Sequence, residues 1–163
     1  MGDSTDSSSH PFANMLSEAS AGHITLRMDL EQFVYLDRDC ETFIQAITQV
    51  MGIADSVSRL DPWGLGEHTV SDSGKKLTSG EAIVQRFKSK SRGASDQSDN
   101  SVYAIMQAHL EAVKDIQETY RRICKQITDH DADQAAKYAQ LVKTLPRQPA
   151  VSVPQYVSPC YVG

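Results

Sequence analysis

The chain has 163 residues, 40% of them hydrophobic, with 16 Lys and Arg against 21 Asp and Glu, for a formal charge of −5. That length suits one domain, and the acidic balance argues against nucleic acid as a partner. No run of about 18 apolar residues is present, which excludes membrane insertion, and the 3 cysteines (Cys40, Cys124, Cys160) are too few for a disulfide-built miniature fold.

Residues 1–23 contain Asp3, Asp6 and Glu18, no Lys or Arg, and a polar run from Ser4 to Ser9. Such a stretch cannot bury enough apolar surface to offset its ordering entropy, so it reads as a disordered N-terminal tail. It lacks the basic start and apolar stretch of a secretory leader. The expected location is therefore the cytoplasm, or the outside of the cell without a cleavable signal peptide. Met1-Gly2 opens like a myristoylation site, but Asp6 stands where Ser or Thr is required.

Residues 24–145 carry the folded domain. Phe33, Leu36, Cys40, Phe43, Ile47, Val50, Ala54 and Val57 recur in alternating steps of 3 and 4, a heptad stripe on one helical face. This predicts a helix from Asp29 to Leu60, stopped by Asp61-Pro62 because the residue before proline disfavours helical geometry. A capping box at Thr78-Ser79-Gly80-Glu81 starts a shorter helix, with Ala82, Ile83 and Phe87, and Val84 as a further candidate, on its apolar face and Ser91-Arg92-Gly93 at its end. Val102, Met106, His109, Val113, Ile116, Tyr120, Ile123 and Ile127 form a second heptad stripe, with Ser98, Asp99 or Asn100 available to cap it. The stripe continues less cleanly through His130, Gln134, Tyr138 and Leu141, with a weak spot around Thr128–Asp131. No segment alternates with period two, so no sheet is expected beyond a short strand around His23–Leu26. The fold class is all-α: a long antiparallel helical hairpin with a short third helix in the connection. Residues 146–163 hold 4 of the 6 prolines and read as a flexible C-terminal tail. Cys160 has the position of a prenylation site, but neither Tyr161 nor Gly163 fits that signal.

Groups able to carry catalysis are sparse. His10, His23, His68, His109 and His130 are scattered outside any metal motif, so neither a metal nor another cofactor is expected and no catalytic residue is assigned. Asp129, Asp131 and Asp133 begin like a calcium loop, but Gln134 and Gln140 stand where Gly and Glu are needed. Lys75, Lys76, Arg86, Lys88, Lys90 and Arg92 form the one basic concentration. Binding of phosphates and a solvated helix face balanced by the acidic first helix are the two readings, and the second is preferred. Cys40 and Cys124 fall at similar depth in a hairpin, either as a disulfide or as buried thiols. The feature above this background is Trp63-Gly64-Leu65-Gly66, the only Trp of the chain in a glycine-rich turn directly after a heptad helix. It reads as a plug of the hairpin, as a tip that touches a partner, or as both.

From Asp29 to Leu145 the chain resembles the WXG family, helix–turn–helix proteins associated with type VII secretion in actinobacteria and their relatives. The resemblance rests on two amphipathic helices with a Trp-Gly turn after the first. The family pattern is Trp-x-Gly; here Gly64 follows Trp63 at once, Leu65 occupies the usual Gly position, and Glu67–Asn100 is a longer insertion than the family's turn. The family's signal, Tyr followed four residues later by an acidic residue, is matched by Tyr35 and Asp39 alone, within the first helix. The resemblance implies a non-enzymatic helical partner protein, homo- or heterodimeric through its helix faces, and a companion of a secreted effector. The alternative is a cytoplasmic coiled-coil adaptor unrelated to secretion. In either case the interface is expected from Phe33, Leu36, Cys40, Phe43, Ile47, Val50 and Val57 with Val102, Met106, His109, Val113, Ile116, Tyr120, Ile123 and Ile127.

Burying one such Leu, Ile, Phe or Val contributes about 1.5–3 kcal/mol. On the stripe assignment, Phe43→Asp and Ile116→Asp are both expected to lower helicity and thermal stability. Circular dichroism melts check this, and full retention of both would overturn the assignment.

Overall fold

A computed structural model of the chain describes residues 12–24, 29–72, 74–75, 78–93 and 100–147. Every regular element among them is a helix: α1 (Ala13–Ser20), α2 (Leu30–Arg59), α3 (Thr78–Arg92), α4 (Val102–Asp129) and α5 (Ala132–Thr144). At about 1.5 Å per residue, the 30 residues of α2 span about 45 Å. Of the short strand expected around His23–Leu26, His23 and Ile24 are described and form no strand, while residues 25–26 lie outside the described residues, as do residues 1–11 and 148–163 of the two expected tails.

Local chemistry explains the helix ends. Gln32 Oε1 accepts from the Asp29 amide at 3.2 Å, half of a capping box at the start of α2. Ser101 Oγ accepts from Ala104 N at 3.1 Å, so α4 is capped one residue later than the Ser98–Asn100 candidates. The weak spot beyond Thr128 is a true break: the Asp131 carboxylate accepts from the amides of Asp133 and Gln134 and opens α5. Asp131, the middle one of the three aspartates that begin like a calcium loop, thus serves as a helix cap.

The described residues fall into two compact units, divided at Ala46/Ile47 in α2 and at Gln107/Ala108 in α4. The first unit holds α1, the start of α2, most of α4 and α5. Its core joins Ala19, Leu30, Phe33, Ile123 and Cys124, with Ile24, Tyr120, Ile127, Tyr138 and Leu141 packed around them. The Phe33 and Tyr120 rings meet edge-on, centroids 6.4 Å apart. Beside this core, Asp37 accepts from Gln117 Nε2 at 3.0 Å and from Arg121 Nη2 at 3.2 Å. Arg38 crosses to the last turn of α5, donating to the carbonyls of Val142, Leu145 and Pro146 at 2.7, 3.1 and 3.0 Å. A guanidinium there satisfies carbonyls that have no partner within the helix and faces the negative end of its dipole.

α1 corrects the tail reading of residues 1–23 over Ala13–Ser20. Ala19 is fully buried, and α4 holds both ends of α1. The buried Asp115 accepts from the Phe12 amide at 3.3 Å, while Gln126 Nε2 donates to the Ala19 carbonyl at 2.7 Å. Arg122 reaches the Ser20 hydroxyl. Asp115, Thr119, Arg122 and Gln126 recur at helical steps of 4, 3 and 4, a polar row that apolar periodicity passes over.

Cys40 and Cys124 are free thiols, both buried. Burial pushes each thiol above its ordinary value, with the Asp37 and Asp39 carboxylates adding to the effect at Cys40. Cys160 lies outside the described residues.

The second unit contains the end of α2, the turn that follows, α3 and the first turns of α4. Ile47, Met51, Ala54 and Val84 are its buried apolar residues. Asp55 pairs with Arg59 at 2.8 Å and with Arg92 of α3, and the Arg92 guanidinium lies 4.9 Å from the centre of the Tyr103 ring.

The exposure of Phe43, 55% against 3% for Phe33, corrects its place in the buried stripe: Phe43→Asp is expected to keep its helicity, and the core test moves to Phe33. Phe33→Ala is expected to cost about 3–5 kcal/mol through the cavity it leaves. Phe43→Ala is expected to change stability by no more than about 0.5 kcal/mol, as at other surface positions. Paired denaturant titrations check the contrast, and equal losses would contradict the assignment of the core.

Candidate functional site

The Trp63 turn belongs wholly to the second unit and is built on polar groups. After Asp61-Pro62, positive φ angles of 74° at Gly64 and 78° at Gly66 fold the backbone back on itself. That left-handed region favours glycine. The fold-back brings Glu67 beneath the turn, where it is 7% exposed. One of its carboxylate oxygens accepts from the Trp63 amide and the other from the Leu65 amide at 2.8 Å. These bonds favour the charged form. The Glu67 carboxyl is held below the usual range chiefly by its own backbone N–H, then by those of Trp63, Leu65 and Gly64, against the opposing effect of burial.

The indole is fixed twice. Trp63 Nε1 donates to the Leu60 carbonyl at 2.9 Å, and the ring stacks on Phe87 of α3 with centroids 5.4 Å apart and planes at 24°. The first turn of α3 presses against the same loop at Gly80. A Cβ there would come within 2.5 Å of the Leu65 carbonyl oxygen and 3.1 Å of Glu67 N, so any side chain would force the turn and the helix apart. Asp61 and His68 pair across the mouth of the turn at 2.9 Å. Asp61, Glu67 and His68 bring one possible metal donor each to within 4.8 Å of one another. Both Glu67 oxygens serve backbone amides and His68 serves Asp61, so the trio works as a hydrogen-bonded brace of the turn.

Beside the turn, α3 displays two kinds of surface. Ile83 and Phe87, one helical turn apart, are 47% and 53% exposed, while Val84 packs inward. Towards the end of α3, Arg86, Lys88, Lys90 and Arg92, with Ser58 of α2, line a groove of about 760 Å³.

Of the turn residues read from the sequence, Trp63 and Gly66 are half-buried, and Gly64 and Leu65 are exposed. Of the stripe residues, Phe33, Cys40, Ile47 and Ile123 are buried. Leu36, Val50, Val57, Met106, Val113, Ile116, Tyr120 and Ile127 are half-buried, and Phe43, Val102 and His109 are exposed. Within the first unit the stripes meet through Phe33 and Tyr120. Glu67, Gly80 and Phe87 are the parts of the turn that sequence reasoning missed. Their one legible signal was a glycine inside the capping box of α3.

No protein-family model, characterised protein or solved structure matches the chain.

A carboxyl with a lowered folded-state pKa stabilises the fold above its unfolded value, about 4.3 for Glu, and that contribution is lost as pH falls through the lowered folded value. Glu67→Gln is therefore expected to lower the melting temperature at pH 7, with the gap to wild type closing under acid conditions below about pH 4. Fluorescence of Trp63, the only Trp, follows the turn directly. A gap independent of pH would contradict the carboxylate's role.

Proposed function

We propose that the chain is a non-enzymatic helical partner protein that works by helix–helix binding, as a companion protein of a type VII secretion-type system. The observation that carries the binding reading is apolar surface left open on helices: Phe43 on α2, Ile83 and Phe87 on α3, Val102 and Ile105 on α4 and Val142 on α5, each 40–55% exposed. Scattered apolar residues need no explanation, but large ones recurring on helix faces are what a partner helix covers. In this reading α2 and α4 are the antiparallel arms of one hairpin, and the inner part of each stripe closes the arms on each other. The outer part takes a second chain, as a homo- or heterodimer.

The secretion part of the proposal is supported by the resemblance to the WXG family over two long helices and the Trp63-Gly64 turn. A cytoplasmic coiled-coil adaptor is the second reading. It is favoured by the construction of the turn, where Glu67 and Gly80, both from the segment that lengthens the connection, brace the Trp63 loop.

Isolation of the native protein at endogenous level, with the mass of the complex measured by light scattering, tests the binding reading. A stable dimer or hetero-complex is expected, with Phe43→Asp retaining its helicity and losing the associated chain. A strictly monomeric native protein would sink it. Recovery from culture filtrate that depends on a type VII ATPase is expected for the companion role, and strictly cytosolic recovery with a non-secreted partner would transfer the proposal to the adaptor.

A further inference from the structure

The charge of this chain is unevenly placed. Residues 75–92 hold 6 of the 16 basic residues and a single acidic one, Glu81, leaving ten basic against twenty acidic residues elsewhere. The basic side chains of α4 all have carboxylate partners: Lys114 with Glu111, Arg121 with Asp37, Arg122 with Glu118 and Lys125 with Asp129. On α3 only Arg92 is so engaged, with Asp55. Among the described residues no carboxylate pairs with Arg86, Lys88 or Lys90, and these three line the 760 Å³ groove together with the Ser58 and Ser89 side chains. Holding like charges together without counter-charges is unfavourable, and an anionic ligand relieves it.

Apolar surface next to two of these cations, Arg86 and Lys90, narrows the class of anion. Ile83 and Phe87 form one row on α3, and Arg86 and Lys90, at the same four-residue spacing, form the adjoining row. A stripe of apolar side chains edged by cations is the complement of an amphipathic helix whose apolar stripe is edged by carboxylates. Single-stranded nucleic acid would stack on an open ring, and one face of Phe87 is already taken by Trp63. A bilayer surface would need a broad apolar face to enter the headgroup region, and α3 turns Val84 inward and offers Ile83 and Phe87.

We propose that the exposed face of α3 is a docking site for an acidic amphipathic helix of a partner protein, with Ile83 and Phe87 receiving its apolar stripe and Arg86 and Lys90 its carboxylates. The assignment rests on the protein-binding reading above and adds the address and the charge of the partner. With 15 residues, α3 is about 22 Å long and matches a partner helix of about four turns.

The test titrates the full chain with a synthetic amphipathic peptide of Leu, Ala and Glu of that length. Its Lys-for-Glu counterpart, phosphatidylserine vesicles and a thymidine oligonucleotide serve as competing probes, and Trp63 fluorescence is the readout. Saturable binding of the acidic peptide is expected, weakened by salt and by roughly tenfold or more in the double variant Arg86→Glu/Lys90→Glu. Both positions are exposed, so that variant keeps the fold, which circular dichroism verifies. Lys137→Glu, a charge reversal at an exposed position of α5, should leave peptide affinity unchanged. No binding of the acidic peptide, equal binding of the basic one, preference for vesicles or oligonucleotide, or affinity within twofold in the double variant would each overturn the docking site. If the peptide fails while the native complex persists and depends on Phe43, only the α3 assignment falls. If both fail, the protein-binding reading falls with it.

Discussion

Phe33 lies at the meeting of Ala19 of α1, Leu30 of α2, and Ile123 and Cys124 of α4, and its burial is the contact on which the first unit depends. A heptad stripe is narrow, so a long helix built on one buries a single seam and leaves its other faces to be satisfied by other means. In the first unit those means are polar. Asp37 gathers Gln117 and Arg121, Arg38 ends α5, and Asp115 and Gln126 hold the two ends of α1. Exposed ion pairs and side-chain hydrogen bonds of this kind each contribute only about 0.2–1.5 kcal/mol. Their larger effect is on register, since each is geometrically satisfied at one relative setting of the helices. Apolar burial thus supplies most of the driving force, and directional bonds select the arrangement.

The second unit reverses that balance at the Trp63 turn. Its centre is a carboxylate lying under a loop of backbone amides, with an aromatic pair against it. A buried carboxylate is costly unless several donors converge on it. Here the donors are amides that the fold-back would otherwise leave unpaired, so Glu67 and the turn stabilise one another. That reciprocity explains how two glycines, which weaken most structures, stand in a well-defined loop.

What could be read in advance follows the range of the forces involved. The limits of α2, Asp29–Leu60 expected against Leu30–Arg59 found, depend on local capping and on Pro62. The span of α3 and the break before α5 were legible for the same reason. α1 was not, because its ordering depends on Asp115 and Gln126, about a hundred residues away in sequence. Apolar periodicity also says which face of a helix can be buried but not how much of it will be, which is why Phe33 and Phe43 share a stripe and differ so widely in exposure. At the turn, Trp63 and Gly64 announced themselves by residue type, whereas Glu67, Gly80 and Phe87 acquire their roles only once the chain has folded back.

The close approach at Gly80 has a consequence for how such chains can diverge. The described residues between His68 and Lys75 are largely exposed and can change composition at little cost, as surface segments do. Position 80 has no such freedom while the turn persists, because the Leu65 carbonyl occupies the space of a side chain. Kinship with this architecture would therefore be written in a tryptophan, two turn glycines, a glutamate and a distant helical glycine rather than in any continuous stretch of similar sequence. Such a sparse signature, spread over eighteen positions, can outlast the rest of the resemblance between two chains.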